Sequence, residues 1–138
     1  MMKLIFSMLV LLSTSVLSAQ NKLTITISGI EEEKGQLQVC LYDKAEAYMK
    51  TGQAVSCKWL PATSSLETHV FEPLSAGRYA VIIIHDLNGN GSLDTNLFRI
   101  PKEPYGFSNN PSTTFGPPDF DGASFGVSED TEIEVRLK

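Results

Sequence analysis

Alternation of apolar and polar side chains is the feature that most limits what this chain can fold into. Residues 22–28 place Leu23, Ile25 and Ile27 on one side and hydroxyl side chains on the other. A period of two predicts a strand with one buried face, because successive side chains of a strand point to opposite faces. The same period recurs in residues 36–42 and 132–137.

The remaining segments extend this pattern to an all-β fold. The run Val81-Ile82-Ile83-Ile84 within residues 78–85 predicts a central strand covered on both faces. Shorter strands are expected over 68–71 and 123–127, a short helical turn over 44–50, and irregular chain over 51–65. Because nothing supplies a helix layer, we predict a single antiparallel β-sandwich of about seven strands, immunoglobulin-like or transthyretin-like, over residues 20–138.

One long connection interrupts the strands. Residues 100–122 hold five of the seven prolines and have no clear period, whereas residues 98–125 carry six aromatic side chains. So many aromatic side chains are not left in water. We therefore expect an ordered, packed loop.

Residues 1–19 have the pattern of a secretory signal peptide. Lys3 supplies the positive start, residues 4–12 the apolar stretch, and Ala19 a small residue before the cut. Export to the periplasm or the extracellular space is therefore expected. In an oxidising compartment Cys40 and Cys57 are expected to form a disulfide; two buried free thiols are the alternative.

Charge and length exclude several kinds of partner. The chain has a net charge of −5 and no cluster of basic residues, which disfavours nucleic acid. Outside the leader, no apolar run approaches the ~20 residues of a membrane span. The expected partners are an unknown small polar ligand or a protein.

Residues 86–94 are the strongest candidate for a site. Asp86, Asn88 and Asn90 alternate, Gly91 allows a sharp turn, and Asp94 follows. Hard cations favour several oxygen ligands on such a loop, so we predict calcium binding by side chains of this loop and the Ser92 carbonyl. The predicted ligand set is Asp86, Asn88, Asn90, Ser92 and Asp94. With two carboxylates, binding is expected at ~10⁻⁴–10⁻³ M.

Two alternatives remain open for this loop. Asn88-Gly89 and Asn90-Gly91 both suit hairpin turns that need no ion, because Asn and Gly tolerate positive φ. A metal-assisted hydrolase using His85 with Asp86 and Asp94 is the other alternative. It has few visible ligands, so a non-enzymatic module is preferred. His69 is expected to be structural.

A second candidate site lies at Tyr105, Phe107, Asn109 and Asn110. Aromatic rings beside amides, on a loop held by prolines, suit a small polar ligand such as a sugar. The alternative, which we favour, is that the rings pack as a minor core. Residues 122–126 match G-x-S-x-G, but a nucleophile elbow needs a preceding strand and a following helix, and a strand is expected to follow here.

Three motifs together resemble a known family. They are Leu74-x-x-Gly77-x-Tyr79, then His85-Asp86-x-Asn88-Gly89-Asn90-Gly91-x-Leu93-Asp94, then Ile100-Pro101-x-Glu103-x-Tyr105-Gly106-Phe107-Ser108-Asn109-Asn110. In order and spacing the chain resembles the exported bacterial family called domain of unknown function 2141. The resemblance implies export and one small β domain, and it implies no activity. The first motif alone is similar to transthyretin-like and Cna-B-like modules.

Overall fold

The computed structural model describes residues 20–95, 97 and 101–138. The predicted leader and two members of the predicted loop, Phe98 and Ile100, lie outside these residues. The described chain forms strands β1 (Asn21–Ser28), β2 (Gln36–Tyr42), β3 (Ser56–Pro61), β4 (Glu67–Leu74), β5 (Gly77–Asp86), β6 (Tyr105–Phe107), β7 (Phe125–Val127) and β8 (Thr131–Arg136), and one helical turn, α1 (Phe120–Ala123).

Two sheets pack face to face, which confirms the predicted all-β sandwich. The smaller sheet has the order β4-β1-β8, in which β1 is antiparallel to β4 and parallel to β8. The larger sheet has the order β3-β2-β5-β6, and β7 also pairs with β5. The alternating apolar residues of β1, β2, β5 and β8 meet between the sheets and are fully buried: Leu23, Ile25, Ile27, Leu37, Val39, Leu41, Val81, Ile83 and Val135.

Two segments that were predicted to be irregular contain strands. The prediction for residues 51–65 is wrong at β3, which pairs with β2 at the edge of the larger sheet. Most side chains of β3 are exposed, so burial imposes no alternation on its sequence. Within the long loop, Tyr105–Phe107 pairs with β5. Within the described residues 101–122, Tyr105 and Phe107 pack as expected, whereas Phe115 is fully exposed, so the predicted packed loop is confirmed only in part.

The predicted strand over 123–127 is shorter than expected. Ala123 belongs to α1, which begins after Asp119, whose carboxylate accepts the Gly122 N–H at 2.7 Å. Asp at this position satisfies an N–H group that the helix leaves unpaired. Residues 44–50 form successive tight turns, as in the 3.0 Å bond from the Lys50 N–H to the Ala47 carbonyl.

The central strand β5 is covered unequally on its two faces. Val81 and Ile83 are fully buried against the smaller sheet, whereas Ile82 and Ile84 are only partly buried on the outer face. The prediction that both faces are covered therefore holds fully for the inner face only. The outer face borders a cleft.

Candidate functional site

The loop of residues 86–94 is organised around Asp86, the last residue of β5. The side chain of Asp86 is almost fully buried, and its two carboxylate oxygens accept the N–H groups of Gly89 and Gly91, both at 2.8 Å. Both glycines have positive φ, near 75°. The conformation that brings their N–H groups to one carboxylate is the left-handed region in which glycine is favoured.

Asp94 closes the other end of the loop. Its carboxylate accepts a hydrogen bond from the Asn90 side-chain amide at 2.6 Å and another from the Asn88 amide. The side-chain carbonyls of the two asparagines accept the N–H groups of Asn90 and Ser92, each at 3.1 Å. The loop thus brings Asn88, Asn90 and Asp94 together, and the Ser92 N–H bonds to one of them. Asp86 bonds to the glycine N–H groups.

Glu103 is a further part of this site that the sequence analysis did not single out. Its buried carboxylate accepts the Leu87 N–H at 3.0 Å and the Asp94 N–H at 3.1 Å. Glu103 therefore ties together the two ends of the 86–94 loop. A glutamate followed by Pro104 carries no local signal for this role, because its partners are 9 and 16 residues away.

The donor set suits a hard cation better than a transition metal. Its side-chain ligand atoms are carboxylate and amide oxygens, which calcium favours. Within the described ranges, no group of three or more His, Cys, Asp or Glu side chains is placed to hold a metal ion. The Nδ2 groups of Asn88 and Asn90 face Asp94, while their Oδ1 atoms accept backbone N–H groups. A calcium ion at Asp94 would take the place of the two Nδ2 donors, and the side-chain amides would turn to present Oδ1.

His85 lies beside the loop but is engaged elsewhere. Its ring is fully buried, with Nε2 2.7 Å from the Lys34 carbonyl oxygen, so Nε2 carries the proton and donates. Gly35 follows with φ +69°, and a Cβ there would lie 2.2 Å from the Asp86 carbonyl oxygen. The β1–β2 turn is therefore held tightly against the start of the candidate loop.

His69 lies in the smaller sheet, away from the loop in sequence and in sheet position. Its ring packs edge-on against Phe71, with the ring centroids 4.6 Å apart. Burial, and secondly the positive charge of Lys58, lowers the pKa of His69 below its usual 6.5. This environment is consistent with the expected structural role.

Asn109 and Asn110 bind the protein's own backbone. The Asn109 amide donates to the carbonyls of Gly122 and Ser124, at 3.2 and 2.9 Å. The Asn110 side chain donates to the Glu134 carbonyl at 3.0 Å and accepts the Arg136 N–H at 2.8 Å. These two residues therefore attach α1 and β8 to the end of β6.

The two aromatic rings of the second candidate site pack as the favoured alternative predicts: Phe107 is almost fully buried in a small cluster with Ala80 and Ala123, and Tyr105 packs against it. Tyr105 and Phe107 pack edge-to-face, with ring centroids 5.8 Å apart, and both line a cleft of about 580 Å³ on the outer face of the larger sheet. Gly91, Ser92 and Leu93, from the first candidate site, line the same cleft. The structure thus separates the four predicted ligand residues into two groups with different surroundings.

Ser124 of the G-x-S-x-G match is held in hydrogen bonds. It is almost fully buried, accepts a bond from Arg78 Nη2 at 2.9 Å, and donates to the Asp121 carbonyl at 3.2 Å. The helical turn precedes Ser124 and a strand follows it, which is the reverse of a nucleophile elbow.

The two cysteines form the predicted disulfide. Cys40 and Cys57 lie directly opposite each other on β2 and β3, and the bond joins the edge strand to its neighbour. Over the residues for which the structure gives positions, no helix has the length and apolarity needed to cross a bilayer.

Comparison with known proteins identifies one match. The family model described as an uncharacterised protein conserved in bacteria (DUF2141) matches residues 25–135. That range runs from β1 to β8 and includes the 86–94 loop and the cleft. None of the curated proteins or solved structures compared with the chain matches it.

Proposed function

The chain belongs to this family of uncharacterised bacterial proteins, and we propose that it is an exported, non-enzymatic binding module whose 86–94 loop takes up calcium. The observation that carries the cation site is the convergence of the Asn88 and Asn90 amides on the Asp94 carboxylate. In a loop exposed to water, each asparagine side chain thus lies one hydrogen bond from Asp94, with its Nδ2 group facing the carboxylate.

Charge supports the same assignment. Asp86 and Asp94 provide two carboxylates within nine residues, and no basic residue lies between them. Asp86 is buried and tied to two backbone N–H groups, so the more exposed Asp94 is the carboxylate that is free to exchange its amide donors for an ion. Few charged ligands imply binding at ~10⁻⁴–10⁻³ M, in the range of extracellular modules.

The test is a thermal melt of the oxidised mature protein, first in EDTA and then in millimolar calcium. A ligand that binds only the native state raises Tm with its concentration, and calcium at ten times Kd contributes about 1.4 kcal/mol. We expect Asp94→Ala to abolish the calcium-dependent rise, while Asp43→Ala, an exposed aspartate outside the loop, retains it. An unchanged Tm of the wild-type protein in calcium would contradict calcium binding by this loop.

Export is the second element of the proposal. The disulfide between Cys40 and Cys57 supports an oxidising compartment, since cytosolic proteins seldom keep such bonds. Expression of the full chain in a bacterial host should yield a periplasmic or secreted product whose intact mass corresponds to a chain beginning at Gln20. A cytoplasmic product that retains Met1 would contradict it.

A separate observation favours a second binding function, uptake of a small ligand at Tyr105 and Phe107. Both rings line the cleft on the larger sheet, and the cleft volume of about 580 Å³ lies within the range of small-molecule sites. Asn109 and Asn110 are not part of this proposal, because their side-chain amides bind backbone groups of α1, of Ser124 and of β8. Tyr105→Ala should fold and lose the ligand.

A further inference from the structure

The cleft is built on two rows of side chains that cross the larger sheet. One row runs through Cys57, Cys40, Ile82 and Phe107, and the next through Trp59, Gln38, Ile84 and Tyr105. Members of a row are directly paired on neighbouring strands, so their side chains stand on the same face. That face is the outer one, opposite the core formed by Val39 and Ile83.

Two further segments form the sides of the cleft around these rows. The 49–56 segment, except Lys50 and Gln53, lines one side, and Gly91, Ser92 and Leu93 line another. The floor is partly buried aliphatic surface at Ile82 and Ile84, and the paired rings of Tyr105 and Phe107 flank it. An apolar floor between walls is the usual form of a small-molecule site.

The polar groups of the cleft are uncharged. Gln38, Thr51, Ser56 and Ser92 contribute amide and hydroxyl groups to its lining. The described residues that line the cleft include no Lys, Arg, Asp, Glu or His, although the chain has 11 basic and 16 acidic residues. A charged ligand would lose its hydration here without meeting a counter-charge, which is costly.

We infer that this cleft binds a neutral saccharide. A sugar ring has an apolar face of C–H groups that suits Ile84 and the Tyr105 ring, and an edge of hydroxyl groups that suits the Gln38 amide. A wholly apolar ligand would leave that amide and the cleft hydroxyls without hydrogen-bond partners, which disfavours its binding. The inference rests on the ligand-binding function proposed above and names the ligand class.

The chain carries its own reporter for this binding. Trp59 is the only tryptophan, is 42% exposed, and lies directly opposite Gln38. A ligand over Gln38 should therefore change the fluorescence of Trp59. The experiment titrates the oxidised protein, in calcium and separately in EDTA, with cello-, xylo-, malto- and chito-oligosaccharides. A charged probe, oligogalacturonate, and an apolar probe, naphthalene, are titrated in parallel.

We expect at least one neutral oligosaccharide to give a saturable change, together with amide shifts on β2, β5 and β6. Gln38→Leu should weaken that binding at least tenfold, because it keeps the size of the side chain and removes its amide. Gln36→Leu is the matched control, since Gln36 is exposed on the same strand and lies outside the cleft lining. It should bind as the wild-type protein does.

Three results would overturn the inference. If only oligogalacturonate or naphthalene binds, the ligand class is wrong and the ligand-binding function survives. If none of the probes binds, both fail. If a neutral oligosaccharide binds equally well to Gln38→Leu and to the wild-type protein, the saccharide site lies elsewhere on the molecule.

Discussion

The carboxylate of Glu103 holds the backbone N–H of Asp94 at 3.1 Å, and its other oxygen holds the N–H of Leu87 at 3.0 Å. Because Glu103 is buried, both bonds are shielded from competing water. The ends of the candidate cation loop are thus fixed by a residue outside it. The carboxylate of Glu103 therefore lies beside the loop, although Glu103 is not one of the loop's predicted ligands.

Glu103→Gln should destabilise the protein by about 1–3 kcal/mol, because the amide N–H group cannot accept the second backbone bond. Urea unfolding of the two proteins measures the difference. Glu132→Gln is the control, since Glu132 is exposed on β8. An equal stability of Glu103→Gln and wild type would show that water replaces these bonds without cost.

Asn90→Asp should increase the dependence of stability on calcium. Asn90 Nδ2 lies 2.6 Å from Asp94 Oδ1, so a carboxylate there would place two negative charges in contact. We expect a lower Tm than wild type in EDTA and a larger rise in calcium, because the ion neutralises the pair. Gln53→Glu adds the same charge at an exposed position outside the loop and should leave the rise as in wild type. A smaller rise in Asn90→Asp would contradict the cation site.

Gly35→Ala should be strongly destabilising. The backbone at Gly35 has φ +69°, and an added Cβ would lie 2.2 Å from the Asp86 carbonyl oxygen, which is backbone and cannot rotate away. Gly52→Ala is the matched control, since φ is also positive there and nothing lies within 4 Å of an added Cβ. The difference in Tm between the two variants isolates the contact with Asp86. Equal losses would assign the whole effect to the backbone conformation.

Asn110→Ala should reduce stability without affecting ligand binding. The variant loses one bond to Glu134 and one to Arg136, and alanine is strained at the φ of +46° that Asn110 adopts, so a loss of about 1–3 kcal/mol is expected. Hydrogen exchange of the Arg136 amide should become faster, because the Asn110 side chain is its acceptor. Loss of ligand binding by a folded Asn110→Ala protein would show that Asn110 belongs to the binding site after all.

His69 should make stability depend on pH in the mildly acidic range. Burial lowers the pKa of His69 in the folded protein, so the unfolded chain, with a pKa near 6.5, takes up the proton first as pH falls. The free energy of unfolding should therefore decrease as pH falls from about 6.5 towards the folded-state pKa of His69. His69→Gln should remove this part of the slope, as measured by urea unfolding from pH 7.5 to 5. A slope that persists unchanged in the variant would assign it to another group.

The candidate sites were only partly visible in the sequence. The Asx spacing of residues 86–94 identified a loop in which Asn88, Asn90 and Asp94 meet in space, because residues close in sequence stay close on one turn. Tyr105 and Asn110 were grouped on the same ground, yet one lines the cleft and the other binds β8. Contacts with residues distant in sequence decide that Tyr105 lines the cleft and that Asn110 binds β8.

The class of fold follows from the sequence alone, because the alternation in β1, β2 and β8 requires one buried face on each strand. The sequence also predicted the disulfide and the sharp turn at Gly91, whereas Asn88 and Asn90 do not adopt the positive φ of the alternative hairpin turns. Tertiary structure alone decided that the exposed strand β3 joins the larger sheet, that Glu103 closes the loop, and that Gln38, Ile84 and Tyr105 share one face. The physical reason is that edge pairing, buried polar bonds and cleft walls join residues far apart in the chain, and no local pattern encodes such partners.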